Sequence, residues 1–474
     1  MTVELIGILS ALTGILCLVL GRSFAIYAFL CSTLLGSAAA TVLTALGSAN
    51  ILPAHLLLGF LTLVALRRPH AARALRGLAY PGPGLLFLVT VIYGVLSAFF
   101  LPRLFQNASY VFSIGRTTVG SVILMTPLAP GNGNITQTVY FVGDLVCFCI
   151  FFGFSSDRGG RRCIADAVIA CGFLNIGFAI LDYVTFATGT ASLLGFMRNS
   201  TYNMLDATEM AGIKRVVGSF TEASSFGAVT LSLLAFNFNL WLSRYRSRLT
   251  GPLSLLLLAA LLVSTSTTAY VGIAIYFGLI YCGNAVRLVL GAIQLRRAAF
   301  IGIAPLIVAT ALLAIAHSDA TASYFAAVLD QIVFAKGVSA SAVERSSWNS
   351  QALVNFFDSY GLGIGVGSTR ASSFMIATLA SIGVVGAALY WSFIALAVSA
   401  PWSEPDPEGR AIRLAAGSAC LAVVIAGCIA GTTIDLGLGF YVLAAVAAAP
   451  ATDGRPARAD VRPAAEPILA GVPA

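Results

Sequence analysis

Long apolar runs follow one another along almost the whole chain, and that repetition decides what it can fold into. A helix needs about 20 apolar residues to cross about 30 Å of hydrocarbon. In lipid every backbone N–H and C=O must be paired within the protein, so such runs read as helices. Only 10% of the 474 residues are charged, against about 25% in a soluble domain. That leaves too little charge to cover a water-facing surface of this size. The expected fold class is therefore an all-α polytopic membrane protein, with about 12–13 transmembrane helices and a large helical extracytoplasmic loop. The spans fall near 4–20, 24–46, 50–66, 83–101, 139–154, 164–188, 222–242, 252–267, 269–285, 298–316, 372–398, 413–431 and 434–449. Residues 1–449 form one bundle on this reading. The first run lacks the basic region and cleavage site of a removable signal and reads as an anchor span. The Ala/Pro/Arg-rich tail 450–474 is expected to be disordered and cytoplasmic.

Orientation follows from the basic residues, which concentrate on the cytoplasmic side. Clusters recur at Arg67/Arg68/Arg73/Arg76, Arg158/Arg161/Arg162, Arg244/Arg246/Arg248, Arg287/Arg296/Arg297, Arg410/Arg413 and Arg455/Arg458/Arg462, with a pair of spans between successive clusters. With Arg22 they account for 19 of the 27 basic residues. Arg103, Arg116, Arg198, Lys214, Arg215, Lys336, Arg345 and Arg370 fall in outward loops and run against the rule.

Nine cysteines lie in spans or at their cytoplasmic ends, which implies no disulfide framework. Cys147 and Cys149, two apart on a helix, point in different directions. His55, His70 and His317 are scattered. No metal constellation, cofactor site or nucleic-acid partner is expected.

Two outward segments, 189–223 and 317–371, look organised. The first ends in a basic pair, Lys214-Arg215, that leads through Gly218-Ser219 to Glu222 at the start of an apolar helix. A carboxylate there caps a helix N-terminus, or it serves a substrate at the membrane face. Continuous helical turns would set Arg215 and Glu222, seven apart, on one face. In the second, Tyr324, Phe325, Val328, Leu329 and Ile332 follow an amphipathic period. Ser341 and Glu344 then form a capping box that starts a helix from Ala342 to about Tyr360, ending at Gly361. Arg345 in its first turn opposes the helix dipole, which points to an anion that holds it. Asn349 shares its face, and Trp348 heads an adjacent apolar stripe suited to packing or to a sugar ring. The glycines 361, 363, 365 and 367 before Arg370 permit close backbone approach to a ligand, or a flexible return to the next span. Ser264-Thr265-Ser266-Thr267-Thr268 lies at the outer turn of a hairpin, where hydroxyls back-bond to their own helix or line a polar cavity. Asp144, Asp182 and Asp435 read either as a proton or ion pathway or as acids beside helix ends.

Together and in this order the segments resemble the O-antigen ligase and polymerase superfamily of bacterial envelope proteins. The stretch from Arg215-Val-Val-Gly-Ser-Phe-Thr-Glu222-Ala-Ser is similar to one in exopolysaccharide polymerases. Ser264 to Ala269 resembles their serine-rich hairpin, with Thr267 or Thr268 where an arginine is common. Arg345-Ser-Ser-Trp348 and the glycines from Gly361 to Gly367 resemble the pattern of the large outer loop. The resemblance covers roughly 205–395 by motif. It implies a GT-C-type glycosyltransferase acting on undecaprenyl-diphosphate-linked glycans outside the bacterial inner membrane, without nucleotide sugar, metal or cofactor. It also implies a chain-length-regulating membrane protein as a partner. Family ligases carry a histidine well inside the large loop, whereas His317 stands at its start, and this favours polymerase over ligase. The expected roles are Arg215 and Arg345 on the lipid diphosphate, Lys214 and Arg370 assisting, and Glu222 as general base. Asn349, Trp348, Thr267 and Thr268 are expected to contact substrate. A ligase is the nearest alternative, and a transporter or flippase that uses the buried acids is the second.

Overall fold

The computed structural model describes residues 2–450 except 45–46, 48, 68–69, 118–119, 202–203, 206–207, 211–212, 292–293, 320–321, 324–325, 327–339 and 400–405. The amphipathic positions Tyr324, Phe325, Val328, Leu329 and Ile332 lie outside the described residues, as do Lys336 and the tail 451–474.

The chain is a multi-pass helical membrane protein. Among the described residues, eight helices are long and apolar enough to cross a bilayer. Helices α1 (Leu5–Leu20), α2 (Arg22–Ser32), α3 (Pro53–Ala65) and the short α4 (His70–Arg76) precede the first long span, α5 (Pro83–Leu104). Then come α6 (Asn132–Ser155), α7 (Arg158–Ala187), α8 (Ala223–Leu242), α9 (Ser247–Val263), α10 (Thr267–Val289) and α11 (Leu295–Ala316). Helix α12 (Ala340–Asp358) is followed by α13 (Phe374–Val398), α14 (Pro407–Ala430) and α15 (Leu438–Ala448). The eight spans are α5, α6, α7, α8, α10, α11, α13 and α14, while α1, α3, α9 and α15 are apolar but shorter.

One expectation is corrected. The second span, 24–46, is not one helix: α2 stops at Ser32, and Thr41–Leu43 forms a strand between Thr2–Val3 and Ala49–Ile51. Gly36, Gly47 and the β-branched Thr41-Val42 break the apolar run into turn and strand. Short strands also accompany the helical bundle. Tyr110–Thr117 and Gly120–Pro127 form an antiparallel hairpin beyond the end of α5, and the aromatic and β-branched residues of Tyr110-Val-Phe-Ser-Ile suit a strand.

Ion pairs gather the arginine clusters on one face. Arg22 and Arg73 both reach Asp157, at 2.6 and 3.3 Å, Arg158 reaches Asp406 at 3.2 Å, Arg162 pairs with Glu408, and Arg246 reaches Asp166 at 2.6 Å. The hairpin, the segment 189–222, α12 and the glycine loop meet at the opposite face. There Asn355 Nδ2 donates to Tyr110 O (2.6 Å) and Asn134 Nδ2 to Val366 O (2.7 Å).

The most buried of the eight spans is α8, packed by α14 and α9. With lipid outside, hydrophobicity alone does not hold helices together, so polar ties matter. Asn239 Nδ2 donates to Tyr276 OH of α10 (2.9 Å) and Ser418 Oγ of α14 (2.7 Å), and Asn175 of α7 donates to Thr230 (2.9 Å). At the periphery α1 turns Leu5, Ile8, Leu12, Ile15 and Val19 outward on one stripe, and α11 buries only Arg297. Apolar stripes of that extent belong in hydrocarbon rather than water.

Candidate functional site

The site begins with how the chain enters α8. Strand residues Ile213–Lys214 pair with Glu209–Met210, and Arg215 N donates to Thr208 O (3.1 Å). A turn follows, closed by Phe220 N on Val217 O (3.0 Å), with Gly218 at φ +57°. Glu222 is extended, at φ −153° and ψ 160°, and Ala223 is the first helical residue. Arg215 and Glu222 therefore share no helical face. The turn brings them together instead, and Glu222 is the leading opposite charge acting on Arg215.

Glu222 does not cap α8: no helix N–H is donated to its side chain. Ser224 Oγ donates to its Oε1, and Oε2 lies 3.9 Å from Arg345 Nη2. Both side chains are about one-third exposed, so an outside ligand has access to them. Arg215 is more enclosed. Burial lowers its pKa from the ordinary value, Glu222 opposes that and Arg345 adds to it. It nonetheless stays cationic at neutral pH. Its Nε is buried without an acceptor, a costly arrangement that an anion would relieve.

Arg345 stands in α12, which begins at Ala340, so Ser341 and Glu344 lie within the helix and do not start it. The helix ends at Asp358, with Tyr360 and Gly361 in left-handed conformation. Trp348, one turn on from Arg345, is buried, and the Arg370 guanidinium sits 5.2 Å from its ring centre. Asn349 Oδ1 accepts from Ser372 N (2.7 Å), so Asn349 tethers the start of α13 to α12.

Lys214 points elsewhere. Its Nζ lies 2.6 Å from Asp182 Oδ1, as does Arg198 Nη2, and all three side chains are almost wholly buried. Asp182 Oδ2 accepts from Val217 N (2.9 Å) and Gly218 N (3.2 Å). Asp182 thus fixes the turn that presents Arg215 and Glu222, and Lys214 acts through that buried pair. The acid reads in sequence as an end-of-helix or pathway residue because its partners come from distant segments.

The glycine loop packs against the backbone of the span that follows it. Helix α13 breaks at Gly383 (φ +61°), and the freed carbonyls of Ala380 and Ser381 accept from Ile364 N (2.8 Å) and Gly365 N (2.9 Å). Val384 N returns to Gly361 O (3.0 Å). A broken span is tolerated where other backbone satisfies it. A Cβ on Gly383 would come 2.4 Å from Gly361 O, and one on Gly363 2.6 Å from Gly383 N.

In the hairpin turn, Ser264 Oγ back-bonds to Leu261 O (2.7 Å). Thr267 and Thr268 open α10, and Thr268 is buried. Ser266 Oγ, buried without a partner, lies against the first turns of α8, within 3.4 Å of where a Gly227 Cβ would stand.

Glu222 also lines a cavity of about 140 Å³. The first turns of α8, Phe374 at the start of α13, the end of α14 and the loop to Asp435 form its walls. Glu222, Ser224, Ser225, Thr433 and Asp435 supply its polar groups. Sequence reading passed over Ser225, Thr433 and Phe374. The signal for Thr433 is the glycine-bracketed break between two spans, Gly431-Thr-Thr-Ile-Asp435-Leu-Gly437. Among the described residues no cluster of three or more His, Cys, Asp or Glu is placed to hold a metal ion.

No protein-family model, curated protein or solved structure matches the chain.

Proposed function

We propose that the chain is a GT-C-type glycosyltransferase of the bacterial inner membrane that polymerises undecaprenyl-diphosphate-linked oligosaccharide repeats at the outer face. One observation carries this reading. Glu222 faces Arg345, feels the charge of Arg215, and lines a partly open cavity whose polar groups include Ser225, Thr433 and Asp435. A group transfer from a lipid diphosphate asks for that order of parts: cations for the leaving group, a base beside them, and room for the nucleophile.

In the proposed step an acceptor hydroxyl gives its proton to Glu222 as its oxygen bonds to the anomeric carbon of the donor glycan. The bond from that carbon to the diphosphate oxygen breaks, and its electron pair leaves with the lipid diphosphate. Arg215 and Arg345 take up the charge that develops there, in forked hydrogen bonds that suit phosphate oxygens. Arg370, held on Trp348, adds positive potential nearby. A carboxylate accepts hydrogen bonds and donates none, which suits Glu222 to take that proton. The step needs no metal and no nucleotide.

The test is a reconstituted assay with purified protein and lipid-diphosphate-linked repeat units, with products resolved by length. A ladder of lengths from wild type, absent from Glu222→Gln and Arg345→Ala, supports the reading. A single joining event per chain moves the assignment to a ligase. Movement of lipid-linked glycan across a liposome membrane without extension moves it to a transporter.

A further inference from the structure

We propose that the cavity between Glu222 and Asp435 is the subsite for one pyranose ring of the acceptor glycan. This inference rests on the polymerase reading and adds where the acceptor sits and what recognises it.

Glu222 and Asp435 both line the cavity, so it carries carboxylates from two separate elements. A carboxylate only accepts hydrogen bonds, so its natural partner in a neutral ligand is a hydroxyl. Ser225 and Thr433 add groups that donate and accept. The Phe374 ring and the small side of α14, Ala426 and Gly427, make up much of the rest. A flat apolar wall with a few placed polar groups is how a small-molecule pocket fixes orientation, and a sugar ring presents C–H faces and hydroxyl edges to match. An acyl or isoprenoid chain fits poorly, since it would press against carboxylates that need hydrogen bonds.

Asp435 is oriented by Gly437 N, which donates to Oδ1 at 2.6 Å, so the glycine after it fixes the carboxylate.

The subsite is tested by separating the two substrates. Lipid-linked polymer serves as donor and a lipid-linked single repeat as acceptor, with the full chain in nanodiscs. Asp435→Asn removes one acceptor charge, and Ala426→Leu fills the space. Each is expected to raise the acceptor KM about tenfold or more, the cost of losing a hydrogen bond to a charged group or of steric exclusion, with the donor KM unchanged. An unchanged acceptor KM in both, or a rise in the donor KM alone, overturns the subsite while leaving polymerase activity intact. If wild type makes no polymer, the polymerase reading fails separately. Equilibrium binding of the single repeat, measured against sugar-free undecaprenyl diphosphate, then decides the subsite. Sugar-dependent binding lost in monodisperse Ala426→Leu or Asp435→Asn keeps it, and equal binding by both variants and wild type overturns it.

Discussion

Glu222 Oε2 and Arg345 Nη2 stand 3.9 Å apart, joining the head of the most buried span to a helix of the outer loop. With both groups about one-third exposed, water screens the pair, and it is worth no more than about 1 kcal/mol to the fold. Its disruption is therefore expected to separate activity from stability. Glu222→Gln and Arg345→Lys should insert normally and keep a melting temperature close to wild type. Polymer synthesis should fall by about a hundredfold or more, the scale of losing a general base or an anion-stabilising donor. Lysine keeps the charge of Arg345 but loses the fork. Product length by gel, at matched protein level, reads the outcome. Full synthesis by Arg345→Lys would remove Arg345 from the site.

Asp182 should behave in the opposite way. Its carboxylate holds Arg198 and Lys214 in a nearly dry setting and accepts two backbone N–H groups. Asp182→Ala takes the carboxylate away from two buried cations, Arg198 keeping its bond to Gly218 O (2.7 Å), a loss on the order of 3–5 kcal/mol. Thermal denaturation of the purified variant should show a large drop, and the turn 215–222 should become sensitive to protease. A variant as stable as wild type would mean that these cations find water or other acceptors. Lys214→Met should be milder, because Asp182 keeps Arg198 and its backbone donors.

The membrane class and most helices were legible because periodicity and span length act locally. Positions near 83–104, 158–187 and 374–398 follow directly from apolar runs. Candidate residues such as Arg215, Glu222 and Arg345 were legible as charges in places where charge is costly. Their geometry was not. Glu222 meets Arg215 through a left-handed Gly218 and a turn fixed by Asp182, contacts that no local spacing encodes. Lys214 was expected to assist Arg215, yet its ammonium turns to the buried Asp182 at the end of a two-residue strand. The purpose of the glycines 361–367 also lay outside the local sequence, because their partner is the break at Gly383 in the following span.

The acid side of the stability profile should carry a mark from the arginine-rich face. Asp157 caps α7, accepting from Gly160 N (2.7 Å), and pairs with Arg22 and Arg73. Burial pushes its pKa up, but the Arg22 hydrogen bond, the Gly160 N–H and the charges of Arg22 and Arg73 bring the net value below the usual 3.8. A carboxyl with a depressed folded pKa binds protons more readily when unfolded. Its contribution is thus present above the unfolded value and is lost as pH falls through the folded one. Asn also caps helices well, so Asp157→Asn removes the ion pairs and leaves the cap. The variant should lose at most about 1 kcal/mol at neutral pH, since the site is partly solvated. The gap to wild type should close below about pH 4. Melting temperatures of both proteins across that range provide the check, and a gap that widens on acidification would contradict the assignment.

Two glycines of one motif should differ sharply in tolerance. Gly361 and Gly383 both have positive φ, +77° and +61°. A Cβ on Gly361 meets its nearest atoms at 3.6 Å or more, ordinary contact, so Gly361→Ala carries only the left-handed penalty of about 1–2 kcal/mol. A Cβ on Gly383 would fall 2.4 Å from the Gly361 carbonyl oxygen and from Leu362 backbone atoms. Nothing there is a flexible side-chain end, so the loop must leave the helix break. That exposes the carbonyls of Ala380 and Ser381 inside the bundle, where each unsatisfied backbone group costs several kcal/mol. Gly383→Ala should therefore fail to yield monodisperse protein, or melt far below Gly361→Ala. The displaced loop carries Arg370, so any surviving Gly383→Ala protein should also synthesise less polymer than its stability loss explains. Equal melting temperatures for the two variants would show that the loop and the kinked span are not held by these hydrogen bonds.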